Sequence, residues 1–249
     1  MNRFFVDREQ VKGDTIRILG KDVKHIKDVL RLKPKDRLEV VAEGSCHICE
    51  IVEIESNGVL VRILDTCGAS SEPPIYVNLF QAIAKGDKMD LIIQKTTEIG
   101  VKEIIPVVTN RTVVKIKDYK KEKNKLDRWN SIAEEAAKQS KRTYIPTVRN
   151  IIDFKDMVEL LKEEENIIVP YERERAVGLK EALKKLSGGR INIVIGPEGG
   201  FEEYEIEMLE SIGAKSVTLG PRILRTETAG IITVALSLYE LGDLGVILK

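Results

Sequence analysis

Residues 191–200 read INIVIGPEGG, and residues 215–229 read KSVTLGPRILRTETA. Each opens on an apolar run of strand character, Ile191–Ile195 and Ser216–Leu219, and each run ends in a glycine-bearing turn that feeds a helical segment. In open α/β sheets, ligands sit outside the carboxyl ends of the strands. Gly196–Gly200 and Gly220–Thr228 are therefore predicted to be two ends of one pocket. The segment beyond, roughly 227–241, carries Ile231, Ile232, Val234, Ala235, Leu236, Leu238 and Leu241. A helix apolar on nearly every face is expected to be buried, with Thr226 or Thr228 as its cap.

The ligand is constrained by what the two loops lack. Neither G-x-x-x-x-G-K-[ST] nor G-x-G-x-x-G occurs here, so both phosphate-binding fingerprints are missing. Glu198, Glu202, Glu203 and Glu205 crowd the start of the following helix. Carboxylates suit a helix N-terminus but repel phosphate. Gly196, Gly199 and Gly200 permit close backbone approach. An uncharged or positively charged ligand read by backbone groups fits, and S-adenosylmethionine (SAM) is one. A plain strand-to-helix turn is the other reading of the glycines.

GPEGGF followed by a carboxylate-rich helix, then LGPRILRTETA, resembles the ribosomal RNA small-subunit methyltransferase E (RsmE) family of SPOUT methyltransferases. Residues 3–6 (RFFV), 25–32 (HIKDVLRL), 94–100 (QKTTEIG) and 135–142 (EAAKQSKR) extend the resemblance over essentially the whole chain. It implies a SPOUT-type α/β domain with a C-terminal trefoil knot, preceded by a small PUA-like β-barrel domain, in a homodimer. It also implies SAM-dependent methylation of N3 of a uridine in 16S ribosomal RNA. A SPOUT enzyme acting on another RNA and a non-catalytic RNA-binding assembly factor are the alternatives.

Composition sets the frame. The 249 residues are 43% hydrophobic and 32% charged with zero net charge, as expected for one large or two modest domains. No signal-peptide core or membrane-length apolar run is visible, so a cytoplasmic location is expected. The neutral total hides a basic segment at 110–150, with 12 Lys/Arg against 5 Asp/Glu, beside an acidic one at 151–210, with 8 against 15. The basic segment is a candidate phosphate-contacting surface. Residues 1–70 read as short strands with tight turns, plus one helix over 22–30 that sets Val23, Ile26, Val29 and Leu30 on one side. Gly68–Pro74 reads as the linker, which places the domains at 1–70 and 71–249. From residue 75 onward strands and helices alternate, which predicts a mainly parallel sheet. Pro106 in EIIPVV hints at an edge strand or a bulge. Cys46 and Cys49 sit three apart on a strand and point to opposite faces, so no metal site is expected. Cys67 has no obvious partner, and no disulfide is expected.

The site residues follow. The cofactor-binding set is Pro170, Gly196, Pro197, Glu198, Gly199, Gly200, Leu219, Gly220, Ile223, Leu224, Thr228 and Ala229. Pro170-Tyr171-Glu172 ends a strand and forms a third wall. RNA contacts are assigned to Arg3, Lys24, Arg31, Lys85, Lys88, Arg111, Lys138, Lys141 and Arg142. Both histidines, His25 and His47, are N-terminal. A base acting on uridine N3–H is then a carboxylate, a water, or absent. Arg225 is the candidate anion stabiliser, and Arg142 an RNA clamp or second stabiliser. Glu198 and Glu227 are candidates for base or cofactor anchor.

Overall fold

Short strands joined by tight turns build the first part of the chain in the computed structural model, which describes residues 1–68, 70–113, 119–186, 188–242 and 244–246. Ala69 of the linker, together with Lys115 and Lys117 of the basic segment, lies outside the described residues. Two units are distinguished: Met1–Glu72 with Ala137–Tyr144, and Pro73–Ala136 with Ile145–Lys249.

The first unit contains strands β1 (Arg3–Val6), β2 (Val11–Lys12) and β3 (Thr15–Ile18), helix α1 (Lys21–Lys24), and strands β4 (Arg37–Ala42), β5 (Ser45–Ile54) and β6 (Val59–Thr66). They form a six-stranded sheet in the order β1-β4-β5-β6-β3-β2; among the described residues only the β1–β4 pair is parallel. Glu43 and Gly44 turn β4 into β5 with φ of 48° and 78°; two positive φ values match the twist of a tight hairpin. Alternate side chains, among them Leu38, Val40, Ile51, Val59 and Val61, close a core with Phe4, Ile16 and Ile26.

Two expectations are corrected here. The helix expected over 22–30 is one α turn followed by a π turn at His25–Val29, in which the Leu30 N–H donates to the His25 carbonyl. The wider turn rotates Val29 outward: it is 64% exposed while Ile26 is buried. Cys46 and Cys67 form a disulfide, against expectation. The Cys67 N–H donates to the Cys46 carbonyl at 2.8 Å, which holds the two Cα atoms 5.2 Å apart, within bridging range. Cys49 is a free thiol in the core, pushed up to about 11 by burial.

From β7 onward strand and helix alternate: β7 (Tyr76–Ala82), α2 (Lys88–Ile99), β8 (Glu103–Val108), α3 (Tyr119–Gln139, of which Ala137–Gln139 belong to the first unit), β9 (Thr147–Val148), β10 (Ile152–Asp153), α4 (Phe154–Leu161), β11 (Ile167–Pro170), α5 (Leu179–Lys184), β12 (Arg190–Ile195), α6 (Glu203–Ser211), β13 (Lys215–Val217) and α7 (Thr226–Glu240). The described strand pairs of this sheet are all parallel, in the order β10-β8-β7-β12-β11-β13 with β9 also on β8. Helices cover both faces. Met89, Ile92, Trp129, Leu183, Val234 and Leu238 pack on one, and Phe154, Met157, Ile206 and Leu209 on the other.

Pro106 does not mark an edge. β8 has β7 on one flank, and β9 and β10 on the other. β9 pairs at Glu103 and Ile104, β10 at Val107 and Val108, so the proline, which has no N–H to give, falls in the gap between them. Helix α7 is not buried on every side. Val234 and Leu238 face the core, but Leu236 is 46% and Tyr239 63% exposed. Among the described residues, no helix is long and apolar enough to cross a membrane.

Candidate active site

Because β11, β12 and β13 run parallel, their carboxyl ends open on one side of the sheet. The loops that leave them, together with the start of α7, enclose a cavity of about 370 Å³. Of the predicted cofactor set, Pro170, Gly196, Pro197, Glu198, Gly200, Leu219, Gly220, Ile223, Leu224 and Ala229 line it. Gly199 and Thr228 are absent from the lining. Gly199 turns its carbonyl to Arg111 Nη1, 2.9 Å away, and Thr228 lies in the first turn of α7. The third wall is present as Pro170, Tyr171 and Glu172. Sequence reasoning missed Arg175, Phe201 and Thr218. Phe201 directly follows the glycine pair and its ring lies against Gly196, a signal that was available. Arg175 offered none.

The two principal loops are tied to each other by a residue expected elsewhere. Neither Thr226 nor Thr228 caps α7; Arg225 holds that position. Thr226 instead donates its hydroxyl to the Gly196 carbonyl at 2.6 Å and accepts from Gln81 Nε2 at 2.9 Å.

Charged side chains from several loops and the start of α2 line the cavity, among them Lys88, Glu172, Arg175, Glu198, Arg222 and Arg225. Lys88, assigned to RNA from the sequence, lines the cavity with its Nζ 3.0 Å from Glu198 Oε1 and 3.3 Å from Glu227 Oε2. The Glu227 contact is an ion pair without hydrogen-bond geometry at Oε2, which is buried. Glu198 Oε1 also accepts from the Lys85 N–H at 3.2 Å. Burial works to raise the Glu198 carboxyl, but hydrogen bonds from its own backbone, Lys88 and the Lys85 N–H prevail, and its pKa is lowered. Lys88 is raised in turn, by its hydrogen bond to Glu198 against the opposing effect of burial, with help from Glu227. Arg225 lines the cavity and is exposed.

The carboxylates at the start of α6 are spent internally. Glu205, fully buried, accepts from the Glu202 and Asn110 N–H groups at 2.9 Å each. Glu202 takes both Nε and Nη2 of Arg111, at 2.9 and 2.7 Å. Arg111, another predicted RNA contact, is thereby committed to holding the 199–202 turn.

Four more of the RNA candidates are engaged within the first unit, with Arg3 and Arg142 buried and Lys138 and Lys141 partly exposed. Arg3 is 8% exposed; it bonds Glu39 at 2.8 Å, the Arg142 carbonyl at 2.9 Å and the Lys141 carbonyl. Lys141 meets Glu39, and Lys138 meets Asp22, each at 2.9 Å. Arg142 is 3% exposed and bonds Glu72 at 2.6 Å; it is not among the cavity-lining residues. Burial opposes ionisation of Glu39, yet Lys141 and Arg3 hold its carboxyl below the usual range. Lys24, Arg31 and Lys85 are exposed. No group of three or more His, Cys, Asp or Glu among the described residues is placed to hold a metal.

Comparison with known proteins accords with this geometry. Residues 71–238 match the RNA methyltransferase domain family, and residues 18–64 match the RNA methyltransferase PUA domain family. The chain is 34% identical to ribosomal RNA small subunit methyltransferase E of Bacillus subtilis, over 96% of this chain and 97% of that one. It is 31% identical to the Aquifex aeolicus enzyme of the same name, over 89% and 93%. A solved structure of ribosomal RNA small subunit methyltransferase E from Neisseria gonorrhoeae, bound to SAM, superposes with a TM-score of 0.83 at 30% identity, over 95% and 96% of the two chains. With its PUA-like N-terminal domain and parallel α/β domain, this chain belongs to the ribosomal RNA small subunit methyltransferase E family.

Proposed function

We propose that the cavity binds SAM and that the protein methylates N3 of a uridine in 16S ribosomal RNA, acting in the cytoplasm as a homodimer with a knotted C-terminal segment. The observation that carries the donor assignment is the makeup of the cavity. Two loops at strand carboxyl ends present aliphatic side chains (Leu219, Ile223, Leu224) and backbone beside an ionised Glu198, with neither phosphate fingerprint. An adenosyl group fits the aliphatic and backbone walls, and a sulfonium fits a nearby carboxylate. The exposed Leu236 and Tyr239 on α7 support a subunit contact there.

When bound, the donor supplies an electrophilic methyl group. The chain supplies orientation, charge and a route for the proton. Uridine N3 is engaged in Watson–Crick pairing, so the base must be unpaired or flipped out to enter. Aromatic residues are only 5% of the chain, so phosphate contacts from exposed cations such as Lys24, Arg31 and Lys85 carry much of the RNA grip. Arg225 stabilises the uridine anion as N3–H is lost. Glu198, with its lowered pKa, is a weak base and serves as an anchor for positive charge. Glu227, outside the cavity lining but sharing the Lys88 ammonium with Glu198, takes the N3 proton in this reading. Alignment of methyl and nitrogen contributes on the order of 7–11 kcal/mol, as for other well-oriented reactants.

Mass spectrometry of ribosomal RNA from a strain lacking the gene, beside a complemented one, tests the reading. One methyl group should vanish from a single 16S uridine and return on complementation. An unchanged 16S pattern would contradict it, and loss of a methyl from a different RNA would move the substrate.

A further inference from the structure

Gln81 is a polar side chain in the middle of an apolar strand. It lies on β7 between Phe80 and Ala82 and has no exposed surface. Its Nε2 donates to the Ala82 carbonyl at 3.1 Å and to Thr226 Oγ1 at 2.9 Å. The first contact fixes which way the amide faces, since a carbonyl accepts only from the nitrogen. Thr226 passes the bond on by donating to the Gly196 carbonyl at 2.6 Å. Gln81 Oε1 is buried, with no hydrogen-bond partner among the described residues. It points at Gly230, where a Cβ would stand 2.6 Å from it.

A buried amide oxygen left without a donor is costly, and a methionine would occupy similar space without that cost. What the amide secures is the position of two loops. Gly196 opens the loop after β12, and Thr226 closes the loop after β13. Both line the cavity. The Thr226 hydroxyl ties one loop to the other, and Gln81 holds that hydroxyl so that its proton points at Gly196.

We infer that Gln81 is a positioning residue for the methyl donor. It touches no substrate; through Thr226 it orients the Gly196 peptide and holds the two loops at the spacing the donor requires. Gly230 belongs to the same device, because only a residue without Cβ leaves room for the amide. This inference rests on SAM being the ligand of the cavity.

The test combines calorimetry with SAM, steady-state kinetics and thermal melts. Failure of the wild-type protein to bind SAM removes the donor assignment itself. Given wild-type binding, Gln81→Met should raise both Kd and KM for SAM by about tenfold, the size of a lost hydrogen bond in a binding site. Its kcat at saturating SAM should stay within about twofold, as expected when only donor binding is lost. Thr226→Val should behave in the same way, and Thr226→Ser, which keeps the hydroxyl, should bind like wild type. Gly230→Ala should weaken SAM binding in the wild-type background and add little in Gln81→Ala, where no amide is left to displace. A Gln81→Met protein that melts lower but binds SAM with wild-type affinity overturns the inference. If that variant does not fold, equal SAM affinities for Thr226→Val and Thr226→Ser overturn it instead.

Discussion

The Lys88 ammonium stands 3.0 Å from the Glu198 carboxylate, joining the first residue of α2 to the loop after β12. The lysine keeps a carboxylate ionised at the side of the cavity where a sulfonium would need one. Lys88→Met should lower SAM affinity by about five- to tenfold, the size of one net hydrogen bond, and Lys88→Arg should recover most of it. Calorimetry with SAM measures this directly. A Lys88→Met protein with normal SAM affinity and weakened RNA binding would return the residue to the RNA-contact set.

The same pair makes a prediction about pH. Glu198 is lowered from its ordinary value of 4.5, so its contribution to stability is complete above that value and is lost as pH falls through the lower folded one. Lys88 is raised from 10.5, so its contribution is complete below that value and is lost as pH rises through the higher folded one. Between those limits the contribution should be flat. Both side chains are nearly three-tenths exposed, so solvent keeps it small. Urea melts of wild type and Glu198→Gln, run from about pH 9 down to about pH 3, below the ordinary carboxylate value of roughly 4, check this. The difference between the two proteins should shrink only at the acid end, and a difference that grows there would reverse the sign.

Arg225 lines the cavity as the residue before α7 and is exposed. Arg225→Ala should cut kcat by about a hundredfold, as loss of a preorganised charge stabiliser does, while SAM affinity changes little. Single-turnover methylation with saturating SAM reads this step alone. Full turnover by the variant would remove Arg225 from the chemistry.

Arg3 has a different fate from the one its charge suggests. With its guanidinium buried on Glu39 and two carbonyls, Arg3→Ala leaves Glu39 paired with Lys141 but takes a donor from two carbonyls, and should cost about 2 kcal/mol, within the range for a buried acceptor left unsatisfied. Chemical denaturation measures the loss. RNA affinity per folded molecule should be unchanged, whereas Lys24→Ala and Arg31→Ala should weaken RNA binding without moving the melt.

Much of the second unit was legible because its signals are local. The strand-turn-helix pattern at 191–211 and the alternation of strand and helix from residue 75 onward each follow from neighbours in sequence. The loops at 196–200 and 220–228 could be named as cavity walls because parallel strands put their carboxyl ends together, although Glu227 and Thr228 are absent from the lining. What stayed hidden depends on pairing across the fold. The Cys46–Cys67 bridge follows from two antiparallel strands lying side by side, which spacing does not reveal. Lys88, Arg111 and Arg3 read as surface cations until Glu198, Glu202 and Glu39 are seen to meet them. Val29 was misplaced because a π turn breaks the helical period that was used to place it.

The most direct measurement is a crystal structure of the purified protein with SAM. The donor should lie between Gly196–Gly200 and Gly220–Arg225, with its aliphatic contacts at Leu219, Ile223 and Leu224 and its positive centre on the side of Glu198. SAM bound outside those two loops, or a crystal that takes up none at a concentration saturating the enzyme, would contradict the assignment on which the chemistry rests.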